Sequence, residues 1–177
     1  LTCIQVDDAV YSTTNWSKNV DTTTKFSDNC PMFTIIPDVN FENKLIALGF
    51  DSGTPDGQVL TSNISSITKI DLYNSNISDL TGIQDFASLT NLSVMSNKLT
   101  TIDISQNLAL TNLSLPYNKL TALNTSNNIS LQYLSLSSNE ITSLDLSQNT
   151  ELSLLSCGTN KFTNIDVKKK KKLTAFW

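Results

Sequence analysis

Three carboxylates stand at matched spacing: Asp103, Asp145 and Asp166 are separated by multiples of 21 residues, with Asn124 filling the gap. Carboxylates stacked one turn of chain apart could share a proton and work as an acid–base pair. The same residues at solvated turns would simply hold their own backbone, and that is the better reading. The chain has no His and no Arg, so it lacks the base of a hydrolytic triad and the planar fork that clamps phosphate. No Gly-rich phosphate loop and no CxxC spacing occurs. Cys157 sits in an apolar column and reads as a buried thiol rather than a nucleophile. The stretch DSGTPDG, 51–57, offers Asp51, Asp56 and Gly57 of a calcium loop. Gly53 and Pro55 occupy the places where two further ligands belong, so it reads as an ordinary turn. The inventory argues against an enzyme and calls for no metal or cofactor.

The 21-residue spacing of those carboxylates belongs to the whole stretch 89–172, which is four copies of one pattern. The copies begin LTNLSVMSNKL, LTNLSLPYNKL, LQYLSLSSNEI and LSLLSCGTNKF. Leu89, Leu110, Leu131 and Leu152 form the first apolar column, and Leu92, Leu113, Leu134 and Leu155 the next. Val94, Leu115, Leu136 and Cys157 complete an apolar–polar alternation that predicts a short half-buried strand. Asn97, Asn118, Asn139 and Asn160 recur at one position, where an amide can satisfy the backbone of an inward-facing turn. Leu99, Leu120, Ile141 and Phe162 begin the return side, which ends in Ile104, Leu146 and Val167, with Thr125 the exception. One such coil cannot bury its own apolar face, so neighbours must stack.

The pattern L-x-x-L-x-L-x-x-N-x-L resembles the leucine-rich repeat family, closely over 89–172 and more loosely over 67–88. The resemblance implies a mostly β chain with a short α-helical N-terminal cap: a right-handed solenoid of 21–22-residue repeats with a parallel concave sheet. The repeats divide as 67–88, 89–109, 110–130, 131–151, 152–172 and a partial coil 173–177, with the helical cap over 32–66. Within that cap, Pro37 with Asp38 or Asn40 is a helix start, Phe41, Leu45 and Leu48 share one face, and Gly49 is a stop. Secreted bacterial surface proteins of the internalin-like kind are similar in carrying such a cap.

Residues 1–31 fit no repeat. LTCIQV and VDTTTKF read as short strands around a polar loop. In a secreted setting Cys3 and Cys30 would close this segment as a disulfide worth about 3–4 kcal/mol; in a reducing one they would be free thiols. The segment resembles the cap that follows leucine-rich arrays in large secreted proteins, yet here it comes first, which suggests an excerpt from a longer chain. At the other end LTAFW begins a coil and stops, leaving Phe176, Trp177 and a strand edge available for head-to-tail self-association.

A net charge of −4 and the lack of a basic stripe argue against nucleic acid, and no apolar run reaches membrane-span length. The five lysines 168–172, which interrupt a second asparagine column (Asn107, Asn128, Asn149) at Lys170, read as a solvated loop. What remains for function is the exposed strand face. Alternation places Tyr73, Asn91, Ser93, Met95, Asn112, Ser114, Tyr133 and Ser135 there, with Tyr117 just past its strand. A serine ladder flanked by tyrosines suits a protein partner or a cell-surface glycan, and tyrosines are natural anchors. Family resemblance favours a secreted or cell-surface adhesion module; a structural spacer is the remaining alternative.

Overall fold

The computed structural model describes residues 3–168 and 170–176. The chain forms two compact units, Leu1–Phe33 and Thr34–Trp177. In the first, β1 (Cys3–Gln5) pairs in parallel with β2 (Lys25–Ser27), and Cys3 is joined to Cys30 by a disulfide. Between the two strands the polar stretch expected as a loop is a helix, α1 (Ala9–Trp16), followed by a 3-10 turn over Ser17–Asn19. Its composition, AVYSTTNW, is rich in poor helix formers. The start signal is local: the Asp8 carboxylate accepts from Tyr11 N–H at 2.8 Å.

The second unit takes in Thr34 and Ile35 of β3 (Phe33–Ile35), which pairs with β4 (Gln58–Leu60), and α2 (Val39–Ala47) lies between them in sequence. Asp38 is the residue that starts α2; one carboxylate oxygen accepts from Asn40 N–H at 2.8 Å and Phe41 N–H at 3.1 Å. Phe41 and Leu45 are buried, and the Phe41 ring stacks on Phe86. Leu48 is exposed, because the helix has already ended there. Gly49, at φ +79°, lets Phe50 N–H reach back to Leu45 C=O and close the last turn. The buried Glu42 carboxylate accepts from the N–H groups of Asp56 and Gly57, so α2 pins the 51–57 turn from inside. Among the described residues no group of three or more metal-ligating side chains is assembled there or elsewhere.

The other oxygen of Asp38 accepts from Ser78 N–H, Ser78 Oγ–H and Asp79 N–H at 2.7–3.0 Å. Burial alone would raise this carboxyl, but the bonds from Ser78, Asp79 and Phe41 outweigh it and hold it below its usual range. A carboxyl with a lowered folded pKa contributes stability above its unfolded value near 4, lost as pH falls through the folded value. Asp38→Asn keeps an oxygen for the helix start but turns an NH2 toward Ser78. We expect it to cost roughly 1–3 kcal/mol at pH 7. Denaturant titrations at stepped pH should show the gap from wild type narrowing below about pH 4.

A short helix, α3 (Thr61–Ile64), leads into a six-stranded parallel sheet: β5 (Lys69–Asp71), β6 (Asn91–Ser93), β7 (Asn112–Ser114), β8 (Tyr133–Ser135), β9 (Leu154–Ser156) and β10 (Ala175–Phe176). The strands lie in sequence order and in matched register, Ile70↔Leu92↔Leu113↔Leu134↔Leu155. The predicted apolar columns from Leu89 to Leu152, Leu92 to Leu155 and Val94 to Cys157 are all buried in one continuous core. Trp177 and the side chain of Phe176 lie outside the described residues.

Two asparagine ladders run through this core. Asn97, Asn118, Asn139 and Asn160 each donate Nδ2–H to a carbonyl of their own coil and one of the coil before, as Asn118 does to Leu115 and Val94. The residue before each asparagine, Ser96, Tyr117, Ser138 or Thr159, takes a positive φ of 55–59°. Asn107, Asn128 and Asn149 form the second ladder, bonding carbonyls one coil back. Thr125, the exception in its apolar column, donates Oγ1–H to Asn149 Oδ1 at 2.8 Å. Where isoleucine stands instead, at Ile83 and Ile104, the Oδ1 atoms of Asn107 and Asn128 have no partner among the described residues.

Lys170 corrects the solvated-loop reading of 168–172. It is only 8% exposed and continues the second ladder: its Nζ donates to Leu146 C=O and to Asn149 C=O, the carbonyls an asparagine would take. Burial lowers its pKa, against the pull of Asp145 and Asp166.

Candidate functional site

The parallel register carries the candidate site residues onto one face of the sheet. Asn91, Asn112 and Tyr133 are paired neighbours in one column, and Ser93, Ser114 and Ser135 in the next. Both columns stand opposite the buried leucines because side chains alternate along each strand. The asparagines of the first column sit against their own threonine neighbours: Thr90 Oγ1 is 2.9 Å from Asn91 Oδ1 and from Thr68 C=O, and Thr111 Oγ1 is 2.9 Å from Asn112 Oδ1 and 3.2 Å from Thr90 C=O.

Tyr73 is 51% exposed and Tyr117 59% exposed, whereas Met95 and Tyr133 are half-buried. Tyr117 is thrown outward by its positive φ, as one member of the left-handed column just described. The serine ladder is not uniform. Ser93 and Ser114 are half-buried, but Ser135 is only 6% exposed and Ser156 is also buried, its Oγ bonded to Ser137 Oγ at 2.7 Å. The face is therefore open for hydrogen bonding at β6 and β7 and closed at β8 and β9.

At the β5 end the face changes character. Lys69 and Asp71, in register with Asn91 and Ser93, are exposed and line a shallow depression of about 400 Å³ with them. One Asp71 oxygen accepts from Tyr73 N–H at 3.1 Å, which sets the course of the chain toward the Tyr73 ring. Alternation along the strand already sets these two charged residues in the same columns, although their types differ from the Asn and Ser elsewhere.

The carboxylate column holds the turns of its own coils. Asp103, Asp145 and Asp166 accept from the N–H two residues on, at Ser105, Ser147 and Lys168, and Asn124 does the same for Ser126. These bonds to Ser105 and Ser147 hold Asp103 and Asp145 below the usual carboxylate range. Cys157 is buried in its apolar column, and that burial pushes its thiol upward, away from the reactive thiolate. No helix among the described residues is long and apolar enough to cross a membrane.

No protein-family profile matches the chain. Over 71 residues, 40% of this chain, it is 37% identical to internalin J of Listeria monocytogenes serotype 4b (strain F2365). It is 34% identical over 71 residues to internalin J of serovar 1/2a (strain ATCC BAA-679 / EGD-e). The match spans 8% of each of those proteins. Among solved structures, the functional domain of InlJ from Listeria monocytogenes, described as including a cysteine ladder, aligns with a TM-score of 0.75 at 36% identity, covering 84% of this chain and 33% of that one. An internalin (inlF) from Listeria monocytogenes str. 4b F2365 aligns with a TM-score of 0.71 at 25% identity, covering 80% and 43%. The chain thus spans less than half of each of these relatives.

Proposed function

We propose that this chain, a homologue of Listeria internalin J with the internalin-type leucine-rich repeat fold, is a non-catalytic protein-binding module of a bacterial surface protein. Its coils are read as right-handed turns of 21–22 residues, residues 67–177 as the repeats, 32–66 as their N-terminal cap, and 1–31 as a separate disulfide-closed segment. The setting proposed is extracellular: secreted, or held at the cell surface. The Cys3–Cys30 disulfide supports it, because such bonds persist in oxidising compartments.

The partner is received on the concave face, the exposed side of the six-stranded sheet. The observation that carries this reading is the exposure of Tyr73 and Tyr117 at the rim of a face whose open columns, Asn91/Asn112 and Ser93/Ser114, are hydrogen-bonding and uncharged. Large aromatic anchors beside polar groups of small side chains are what protein interfaces concentrate their binding energy in. Lys69 and Asp71 add the charge pair that would fix a partner's register at one end.

The test is a pull-down from host-cell surface extracts and a biolayer measurement with any captured protein. Tyr73→Ala/Tyr133→Ala should weaken a specific partner by at least tenfold, since one hot-spot truncation typically costs about 2 kcal/mol or more. Unchanged affinity in the folded double variant would exclude this face. Competition by soluble polysaccharide alone would transfer the face to a glycan.

A further inference from the structure

The unit Leu1–Phe33 contains a cleft of its own, formed where β1 runs into α1. It measures about 370 Å³, within the range of small-ligand sites, and Gln5, Asp7, Tyr11, Ser12 and Trp16 line it. Tyr11 and Trp16 are 57% and 45% exposed. Their rings meet edge to face with centroids 6.0 Å apart and planes at 89°, and Phe26 holds Trp16 from another side, also at 6.0 Å. The rings are thus braced by their neighbours while keeping surface open to the cleft.

Ser12 is the second, independent feature. It is 2% exposed, lies on the buried side of α1, and brings a hydroxyl to the lining of the cleft. A hydroxyl both donates and accepts, and this one borders the cleft. The Asp7 carboxylate, exposed on the turn before the helix, makes no hydrogen bond or ion pair among the described residues, whereas its neighbour Asp8 is committed to the helix start. Gln5 adds an amide that both donates and accepts.

These groups select a chemistry. No Lys lines the cleft, which removes the attraction for phosphate or carboxylate ligands. A quaternary ammonium would suit the rings and Asp7 but offers nothing to the Ser12 hydroxyl. A sugar ring meets every requirement: an apolar C–H face for an aromatic ring, and hydroxyls that donate to Asp7 and exchange hydrogen bonds with Ser12 and Gln5. We propose that this cleft binds a neutral glycan, at a place separate in sequence from the sheet face assigned to a protein partner.

The experiment uses the full chain with its disulfide intact. Maltotriose, mannotriose, lactose and chitotriose are titrated by calorimetry and by saturation-transfer NMR, with tetramethylammonium chloride as the cationic probe. The expected result is saturable binding of at least one sugar, weakened about tenfold by Asp7→Asn and by Ser12→Ala, with unchanged far-ultraviolet circular dichroism in both. Neither substitution removes the helix-starting carboxylate or a ring, so folding is preserved. Silence from all four sugars overturns the proposal. So does sugar binding that both variants retain, and so does binding of tetramethylammonium alone.

Discussion

Gly82→Ala is expected to lower the stability of the Thr34–Trp177 unit by about 3–5 kcal/mol, combining left-handed strain with overpacking. Gly82 has φ +100°, immediately before the 3-10 turn Ile83–Asp85. A Cβ there would stand 2.4 Å from Ile36 Cδ1, 2.7 Å from the Ile35 carbonyl oxygen and 3.1 Å from Thr34 Cγ2. The isoleucine methyl could rotate away, but the carbonyl belongs to β3 and its neighbours are anchored. Thr34 Oγ1–H bonds Asp85 Oδ2 at 2.6 Å, and Ile36 N–H bonds Gly57 C=O at 2.8 Å. Gly49 supplies the control: at φ +79° it has nothing within 4 Å of its would-be Cβ. Gly49→Ala should therefore cost only the conformational part, about 1–2 kcal/mol. Urea titrations of both, compared by midpoint at equal slope, separate steric exclusion from backbone strain. Equal losses in the two variants would show that the close approach at Gly82 is not real.

The asparagine ladders carry the second large effect. Asn118→Ala removes two donated bonds, to Val94 C=O and Leu115 C=O, and the acceptor for Leu99 N–H. All three backbone groups are buried, so the expected loss is about 3–5 kcal/mol. Asn118→Asp keeps the acceptor and presents a carboxylate to two carbonyls. Its folded pKa should rise, so this variant should regain stability as pH falls and the carboxyl becomes protonated in the fold. Lys170 gives the complementary test in the second ladder. Lys170→Met leaves Leu146 C=O and Asn149 C=O without donors and should cost about 2 kcal/mol. Lys170→Asn places the residue of the earlier coils at a position whose N–H already bonds Val167 C=O as theirs bond Ile104, Thr125 and Leu146. It should equal or exceed wild type in thermal unfolding.

The apolar columns and Asn97–Asn160 were legible because both depend on periodicity alone: a fixed repeat leaves little choice of which residues face inward. Other features depended on contacts across coils, which periodicity does not specify. Nothing in the types of Ser96, Tyr117, Ser138 and Thr159 announces a positive φ; the asparagine that follows each of them holds the turn. A lysine in a run of five looks solvated, and only the carbonyls left by the preceding coils show why Lys170 turns inward. The helix α1 was hidden by β-branched residues and declared only by Asp8. On the sheet face, alternation told which side chains point away from the leucines. It could not tell that Ser135 and Ser156 would be covered while Ser93 and Ser114 stay accessible, because burial depends on neighbours across strands, as in the bond of Ser156 to Ser137.

Each coil of this sheet is finished by the one after it. The carbonyl of Leu72 waits for Asn97, that of Val94 for Asn118, that of Leu115 for Asn139, and that of Leu136 for Asn160. The amides of Leu99, Leu120 and Ile141 likewise look forward, to the Oδ1 atoms of Asn118, Asn139 and Asn160. Because every seam is made from the same atoms, the seams are interchangeable. A whole coil gained or lost rejoins first-ladder donors to like acceptors, and the step from Asn97 back to Leu72, 25 residues against 24 elsewhere, keeps its bond with one extra residue. The sheet can therefore be lengthened or shortened in whole coils, each varied at its outward residues.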